Sequence, residues 1–146
     1  MYEIAATCVD MLQINAEKNQ VTLELRGSSC LVRSEKQMLE ELVYNLCDNA
    51  IRYNNKDGRV VVTVQIQGGK TVLIVEDTGI GIPKEHQERI FERFYRVDKS
   101  RSKSTGGTGL GLAIVKHIVA RNHARISLES RVGEGTRIMV VFEGEG

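Results

Sequence analysis

The sequence predicts an α+β fold, a two-layer α/β sandwich in which helices pack on one face of a mixed, mostly antiparallel sheet. Segments with helical apolar periodicity alternate with short segments of strand pattern along the chain. Two pairs of strand patterns are separated by glycine-containing turns, which is typical of antiparallel hairpins. The chain has 146 residues, enough to bury one core, so residues 1–146 are predicted to form a single domain.

Three segments are predicted to form helices. The first runs from about Tyr2 to Asn19 and carries an apolar stripe. The second is predicted to begin at Ser34, an N-cap with Gln37 in the capping-box position, and to end near Tyr53. Its apolar face is predicted to hold Met38, Leu39, Leu42, Val43, Leu46, Cys47 and Ala50. The third helix is predicted over residues 109–121.

The strands are predicted from period-two alternation and turn residues. We expect a strand at Val21–Leu25, ending at Gly27, and a short one at Leu31–Val32. Further strands are predicted at residues 60–67, 71–77, 125–130 and 136–142. Gly68–Gly69 joins the first two of these as a hairpin, and residues 133–135 join the last two. Residues 72–75 are all apolar, so that strand should be central and covered.

Composition excludes several classes of function. The net charge is +1, which gives no global field for nucleic acid, so no nucleic-acid partner is expected. There is no apolar run that could cross a bilayer and no signal-peptide pattern, so no membrane contact is expected from this chain. The cysteines, Cys8, Cys30 and Cys47, lack metal-site spacing, and we expect reduced, mostly buried thiols.

Asp77 stands directly after the apolar strand and before Gly79 and Gly81. A carboxylate fixed there can accept a hydrogen bond from an exocyclic amine such as that of adenine, and it rejects a guanine carbonyl. The alternative is an Asx turn that simply ends a strand.

A second glycine cluster, Gly107, Gly109 and Gly111, precedes the third predicted helix. Backbone N–H groups at a helix N-terminus bind phosphate, and glycines allow close approach. The spacing matches neither the Rossmann fingerprint nor the P-loop. The alternative is a flexible loop before a helix.

Asn45 and Asn49 lie four residues apart on one side of the second helix, and Arg52 and Tyr53 follow one turn later. Asparagine is a poor helix former, so two asparagines on one side of a helix indicate a function for these side chains. An amide oxygen can complete a Mg²⁺ shell made largely of phosphate and water. The alternative is that both side chains cap or bridge to the neighbouring sheet.

A basic segment separates the two glycine clusters. Phe91 and Phe94 form an apolar edge that can dock on the core, and cationic residues follow it. These are Arg96, Lys99, Arg101 and Lys103. Such cations can neutralise charge that develops on a transferred phosphoryl group, although a solvated charged loop is the alternative.

Taken in order, these segments resemble the ATP-binding catalytic domain of bacterial sensor histidine kinases, which has the Bergerat fold and shares a superfamily with gyrase-type and chaperone-type ATPases. The resemblance covers essentially the whole chain. Residues 45–53 resemble the N box, 77–81 the G1 box, 91–94 the F box, 107–112 the G2 box and 133–136 a final glycine box.

The resemblance implies ATP and Mg²⁺ as ligands. Asn49 would bind the metal, Asn45 would lie near the phosphates, and Asp77 would bind the adenine amine with Gly81 beside the base. The implied nucleotide-binding set is Asn45, Asn49, Arg52, Tyr53, Asp77, Gly79, Gly81, Gly107, Thr108, Gly109, Leu110, Gly111 and Leu112. Residues 83–108 would form the ATP lid, and Arg96 and Arg101 would act with Asn45 in catalysis.

The implied function is transfer of the γ-phosphate of ATP to a histidine. A response regulator would be the partner downstream of this step. His86, His117 and His123 lack the acid and proline that follow the family's acceptor histidine. We therefore expect the dimerisation and phosphoacceptor domain to be absent, and autophosphorylation to require it. The domain is expected in the cytoplasm, with the full-length protein anchored in the membrane.

The sequence departs from the family at two places. Arg52 stands where lysine is frequent, so a direct phosphate contact by its planar guanidinium stays open. Residues 122–124 replace a frequent His-Gly-Gly, for which we expect a local turn change.

Three other functions remain. A gyrase-type ATPase uses a glutamate where this chain has Asn45, which cannot act as a base. A serine kinase of the anti-sigma type suits the length, whereas the Phe91–Phe94 segment favours the histidine kinase branch. A pure binding module is disfavoured because all the expected polar ligands are present.

Overall fold

The computed structural model describes residues 1–28, 32, 34–87, 89–91 and 111–142. The helices in this part of the chain are α1 (Tyr2–Lys18), α2 (Lys36–Arg52) and α3 (Gly111–Arg121). The strands are β1 (Thr22–Gly27), β2 (Arg59–Gln67), β3 (Lys70–Asp77), β4 (Arg125–Arg131) and β5 (Gly135–Phe142). A 3₁₀ turn, Lys84–His86, follows β3.

The five strands form one mixed sheet in the order β1-β2-β3-β5-β4. β1 runs parallel to β2, and the other neighbouring pairs are antiparallel. The predicted mixed, mostly antiparallel sheet is confirmed. β3 is central, and its residues from Thr71 to Val75 are all buried, as its apolar sequence predicts.

The helices cover one face of the sheet, with α2 packed between α1 and α3. The face of α2 that was predicted to be apolar is buried, except for Met38, which is partly buried against the same core. Leu42 and Leu46 of α2 belong to one core cluster with Val62 of β2 and Leu73 of β3. Burying this amphipathic face is what fixes the position of α2 over the sheet.

Both predicted hairpins are confirmed. Gly68 and Gly69 have φ of 58° and 80° at the β2–β3 turn, the left-handed backbone that a two-residue hairpin loop requires. The β4–β5 turn lies between Arg131 and Gly135.

Two local predictions are wrong. Ser34 does not cap α2: Glu35 is the N-cap residue and makes no side-chain capping bond, while the Ser34 hydroxyl is buried with no hydrogen-bond partner among the described residues. The expected short strand fails at Val32, which lies in no strand, and Leu31 lies outside the described residues. Cys8 and Cys47 are buried free thiols as expected, whereas Cys30 lies outside the described residues.

No helix in the described part of the chain combines the length and the apolarity needed to cross a bilayer.

Candidate functional site

A polar row crosses three neighbouring strands at one end of the sheet. Asp77 of β3 is paired with Thr136 of β5, and Thr136 is paired with Ser130 of β4. Two residues further along, Val75 and Ile138 form a pair that belongs to the apolar core. Because side chains two residues apart on a strand share a face, the polar row continues the helix-covered face to its edge.

The Asp77 carboxylate is held by backbone N–H groups. Its Oδ1 accepts a hydrogen bond of 2.9 Å from the N–H of Gly79, so the Asx turn considered from the sequence is present. Burial raises the pKa of Asp77 to about 6, and hydrogen bonds from the N–H groups of Gly79 and Thr136 oppose that rise. The carboxyl group is therefore ionised at neutral pH and fixed in direction.

The loop that follows Asp77 is packed between two backbone walls. The first wall is the end of α2: the carbonyl of Tyr53 accepts the N–H of Ile80 at 3.2 Å. A Cβ on Gly79 would lie 2.5 Å from that same carbonyl oxygen, and a Cβ on Gly81 would overlap the carbonyl of Arg131 in the second wall. Both glycines are therefore required by the protein's own packing, before any ligand is considered.

The first wall is reinforced by two side chains that the sequence analysis did not select. The Thr78 hydroxyl accepts the N–H of Arg59 at 2.9 Å, and the Thr78 N–H donates to the carbonyl of Arg59 at 3.1 Å. The amide of Asn55 donates to the Thr78 carbonyl at 3.2 Å. The loop is thus hydrogen-bonded to the segment that connects α2 and β2.

The second wall is the end of the β4–β5 hairpin. The N–H of Gly133 donates to the carbonyl of Ile80 at 2.9 Å. The N–H of Ile82 donates to the Ser130 hydroxyl at 2.8 Å. The amide of Gln87 donates to the carbonyls of both Ile82 and Ser130. Sequence reasoning missed Ser130 and Gln87, although Ser130 interrupts the apolar positions of its strand face.

Asn45 lies where α2 meets the beginning of α3. Its Nδ2 donates to the carbonyl of Glu41 at 2.7 Å, one turn back in the same helix. Its Oδ1 faces Gly111, where a Cβ would lie 3.2 Å away. The absence of a side chain at Gly111 therefore leaves room for the Asn45 amide against the N-terminus of α3.

Asn49 and Arg52 lie further along α2. Arg52 donates from Nε to the Asp48 carboxylate at 2.8 Å. Asn49 is half-buried, and its side-chain amide makes no hydrogen bond to another residue that the structure describes. A half-buried amide oxygen with no hydrogen-bond partner among the described residues suits a hard cation that keeps its other oxygen ligands.

The structure brings some of the predicted site residues together. Tyr53, Gly79, Gly81 and Asp77 lie at the loop, and Asn45 meets Gly111. Leu112 and Phe91 are partly buried against the core. Predicted residues outside the described part of the chain are Phe94, Arg96, Arg101, Gly107, Thr108, Gly109 and Leu110.

Comparisons with known proteins agree with this architecture. The sequence profile of the family described as histidine kinase-, DNA gyrase B- and HSP90-like ATPase matches residues 34–145. Sensor histidine kinase YkoH of Bacillus subtilis (strain 168) is 38% identical over 138 residues, which are 94% of this chain and 30% of YkoH. The chain spans about a third of the length of the curated relatives it matches.

Solved structures show the same fold. The mycobacterial sensor histidine kinase MprB superposes with a TM-score of 0.81 at 28% identity, covering 96% of this chain and 91% of that one. Full-length ShkA in complex with AMPPNP superposes with a TM-score of 0.79 at 26% identity, covering 97% of this chain and 29% of that one.

Proposed function

The chain belongs to the histidine kinase-, DNA gyrase B- and HSP90-like ATPase family, and we propose that it binds ATP with Mg²⁺ and transfers the γ-phosphate to a histidine on a separate dimerisation domain. Its match to YkoH along almost its whole length supports the histidine kinase branch. The AMPPNP complex of ShkA supports an adenine nucleotide as ligand.

The observation that carries the proposal is the fixed carboxylate of Asp77. It is ionised at neutral pH, half-buried and aimed by the N–H groups of Gly79 and Thr136. The exocyclic amine of adenine donates to such an acceptor, whereas guanine presents a carbonyl that would leave the carboxylate unpaired. Gly81, further along the same loop, would lie beside the base.

The α2 side of the site fits a Mg²⁺ ion carried in with the nucleotide. We assign Asn49 as the protein ligand, because its amide has no partner among the described residues and Mg²⁺ keeps water and phosphate oxygens for the rest of its shell. When bound, the ion would neutralise phosphate charge. Asn45 and the backbone of Gly111 and Leu112 would lie along the phosphates, together with residues 107–110.

The chain's own contribution to transfer is positioning. Phosphoryl transfer requires little covalent chemistry from the protein, so holding the nucleotide in line with the acceptor supplies most of the rate. Asn45 occupies the place where a hydrolytic family member would need a carboxylate base, and its amide donor is engaged by Glu41. Water activation is therefore disfavoured and transfer to an external acceptor is favoured.

Several partners remain part of the proposal. The acceptor histidine lies on a dimerisation domain, and a response regulator takes the phosphoryl group afterwards. Arg96 and Arg101, in the proposed lid over residues 83–108, would neutralise charge on the transferred group. The Arg52 guanidinium is paired with the Asp48 carboxylate. A contact with phosphate would therefore require Arg52 to bind the phosphate and Asp48 at the same time. We also propose membrane anchoring for the full-length kinase.

The test is phosphotransfer in two components. The chain is mixed with γ-labelled ATP, Mg²⁺ and a purified dimerisation domain from a sensor histidine kinase relative. We expect label on the acceptor that is stable to base and lost in acid, as phosphohistidine is, and none with Asn49→Ala. Steady phosphate release without the acceptor would support a gyrase-type ATPase instead, and label on serine would support an anti-sigma-type kinase.

A further inference from the structure

We propose that Ser130 and Gln87 are positioning residues that hold the adenine-binding loop and Asp77 in the geometry needed for base recognition. The inference rests on the proposed function and deepens it. Neither side chain is assigned to contact the nucleotide. Both act through the loop at residues 80–82, which they tie to the end of the β4–β5 hairpin.

The Ser130 hydroxyl uses its full hydrogen-bonding capacity inside the protein. It accepts the N–H of Ile82 at 2.8 Å and donates to the carbonyl of Gly135 at 3.0 Å. Its oxygen lies 2.8 Å from the hydroxyl oxygen of Thr136, which can fill its second acceptor position. A hydroxyl has one donor and two acceptor positions, so all three are satisfied. No side chain without a hydroxyl can replace this arrangement.

The network reaches Asp77 through the first two residues of β5. Gly135 packs so closely that an added Cβ would overlap the Asp77 carbonyl. The N–H of Thr136 donates to the Asp77 carboxylate. Ser130 is bonded to both Gly135 and Thr136. A shift of these residues after loss of the hydroxyl would therefore move the donor that aims the carboxylate.

Gln87 closes the same network from the other end of the loop. Its Nε2 donates to the carbonyl of Ile82 at 2.9 Å and to the carbonyl of Ser130 at 3.1 Å. One amide group thus joins the residue before Pro83 to strand β4. The 3₁₀ turn at Lys84–His86 brings the side chain back to this position. Ile82 is consequently held by both of its backbone groups.

The network lies only on the base side of the site. Within the described residues its members bond to the loop and to the β4–β5 hairpin, and none bonds to Asn45 or Asn49 on α2. Loss of the network should therefore weaken recognition of the base without changing the response to Mg²⁺. A purely structural role would instead lower stability and leave the affinity of the folded protein unchanged.

The experiment measures ADP binding by calorimetry, with and without Mg²⁺, alongside thermal unfolding. Ser130→Ala should raise the Kd of ADP about tenfold, the equivalent of one to two lost hydrogen bonds. The ratio of Kd values with and without Mg²⁺ should stay unchanged. Gln87→Met, which keeps the length without the donor, should raise Kd about threefold and tests the network separately. Ser130→Thr, which keeps the hydroxyl, should restore binding.

Ser127→Ala is the matched control, because Ser127 is an exposed serine on the same strand. It should bind ADP as the unmodified chain does. The proposal is overturned if Ser130→Ala and Gln87→Met both keep the original Kd, or if their loss of affinity changes with Mg²⁺. If the unmodified chain binds no adenine nucleotide, the proposed function itself fails, and the positioning role falls with it.

Discussion

The two sides of the candidate site are built differently. On the base side, residues 77–82 are held by groups from distant parts of the chain, including the backbone of Tyr53 and Gly133 and the hydroxyl of Ser130. On the phosphate side, the described polar side chains stand on α2. There Asn45 bonds to the carbonyl of Glu41 in its own helix. The base side is therefore fixed by tertiary contacts, whereas the phosphate side is held by local ones.

This difference implies a division of labour. A loop fixed at both walls presents Asp77 in one orientation. The base-binding geometry therefore exists before the nucleotide arrives, and binding loses little conformational entropy in the loop. Among the described residues the Asn45 amide bonds only to Glu41 of its own helix, and it can exchange that bond for a ligand. Selection among nucleotides should depend on the base side, and the response to Mg²⁺ should depend on α2.

The largest effect is expected from Gly81→Ala. Gly81 has φ of +76° and lies against the carbonyl of Arg131, so an alanine brings both left-handed strain and a steric clash. We expect a loss of about 2–4 kcal/mol in the free energy of unfolding and loss of nucleotide binding. Urea denaturation and calorimetry provide the two measurements.

Gly69→Ala separates strain from clash. Gly69 has nearly the same φ, +80°, with nothing within 4 Å of an added Cβ. It should lose only about 1 kcal/mol and keep its nucleotide affinity. Equal losses in the two variants would show that the Arg131 contact contributes nothing and that the wall is not rigid.

Two variants should show that the base side and the phosphate side contribute separately to nucleotide binding. Asn49→Ala should weaken Mg²⁺-dependent binding of an ATP analogue about tenfold or more, because the proposed metal ligand is lost. Its stability should hardly change, since the amide has no partner among the described residues. Asp77→Asn should weaken adenine binding with and without Mg²⁺ by the same factor. Calorimetry with both variants gives the comparison, and identical profiles would contradict the division.

The pH dependence of stability and of nucleotide affinity should also arise from the base side, through Asp77. Burial raises the pKa of Asp77 from its ordinary value of 3.8 to about 6, so the folded protein holds this proton more tightly than the unfolded chain. The group's contribution to stability is therefore fullest below pH 3.8 and is lost as pH rises through about 6. Adenine donates to the ionised form, so nucleotide affinity should fall as pH drops through the same value.

Carbon-13 NMR of the Asp77 carboxyl group measures this directly. The carboxyl should titrate near pH 6 in the free protein and lower with ADP bound. In Asp77→Asn the decline of stability between pH 4 and pH 6 should be reduced. A carboxyl that titrates at its ordinary value and ignores ADP would refute a buried acceptor.

The smallest effect is expected from Gly111→Ala. The new Cβ would lie 3.2 Å from Asn45 Oδ1, so the amide must move by a few tenths of an ångström. We expect a change of no more than about 0.5 kcal/mol in stability, because alanine is also the better helix former. Affinity for the ATP analogue with Mg²⁺ should fall about twofold. A fall in the affinity for adenosine, which lacks phosphates, would place Asn45 on the wrong side of the site.

The sequence predicted what depends on periodicity. The apolar stripe of α2, the alternation of β2 and the apolar run of β3 predicted elements whose ends lie within two residues of those in the structure. The Ser34 cap failed because capping depends on backbone angles that residue types do not set. Glu35 instead takes the N-cap place with extended φ and ψ of −73° and 131°.

The site was predictable only where its signal is local. Asp77, Gly79 and Gly81 form one short motif, so the sequence predicted them as site residues. The contacts of the two glycines with Tyr53 and Arg131 are tertiary, and the sequence did not predict them. Gln87 bonds to Ser130 across 43 residues. Ser130 interrupts the apolar face of its strand, but that local pattern does not indicate Gln87 as its partner.

The central claim is that the base side is a preformed acceptor for adenine. Its most direct test is a calorimetric titration of the chain with a non-hydrolysable ATP analogue and with the matching GTP analogue, each with and without Mg²⁺. We expect the adenine analogue to bind, more strongly with Mg²⁺, and the guanine analogue to bind about a hundredfold more weakly. Equal affinity for the two bases would contradict the assigned role of Asp77.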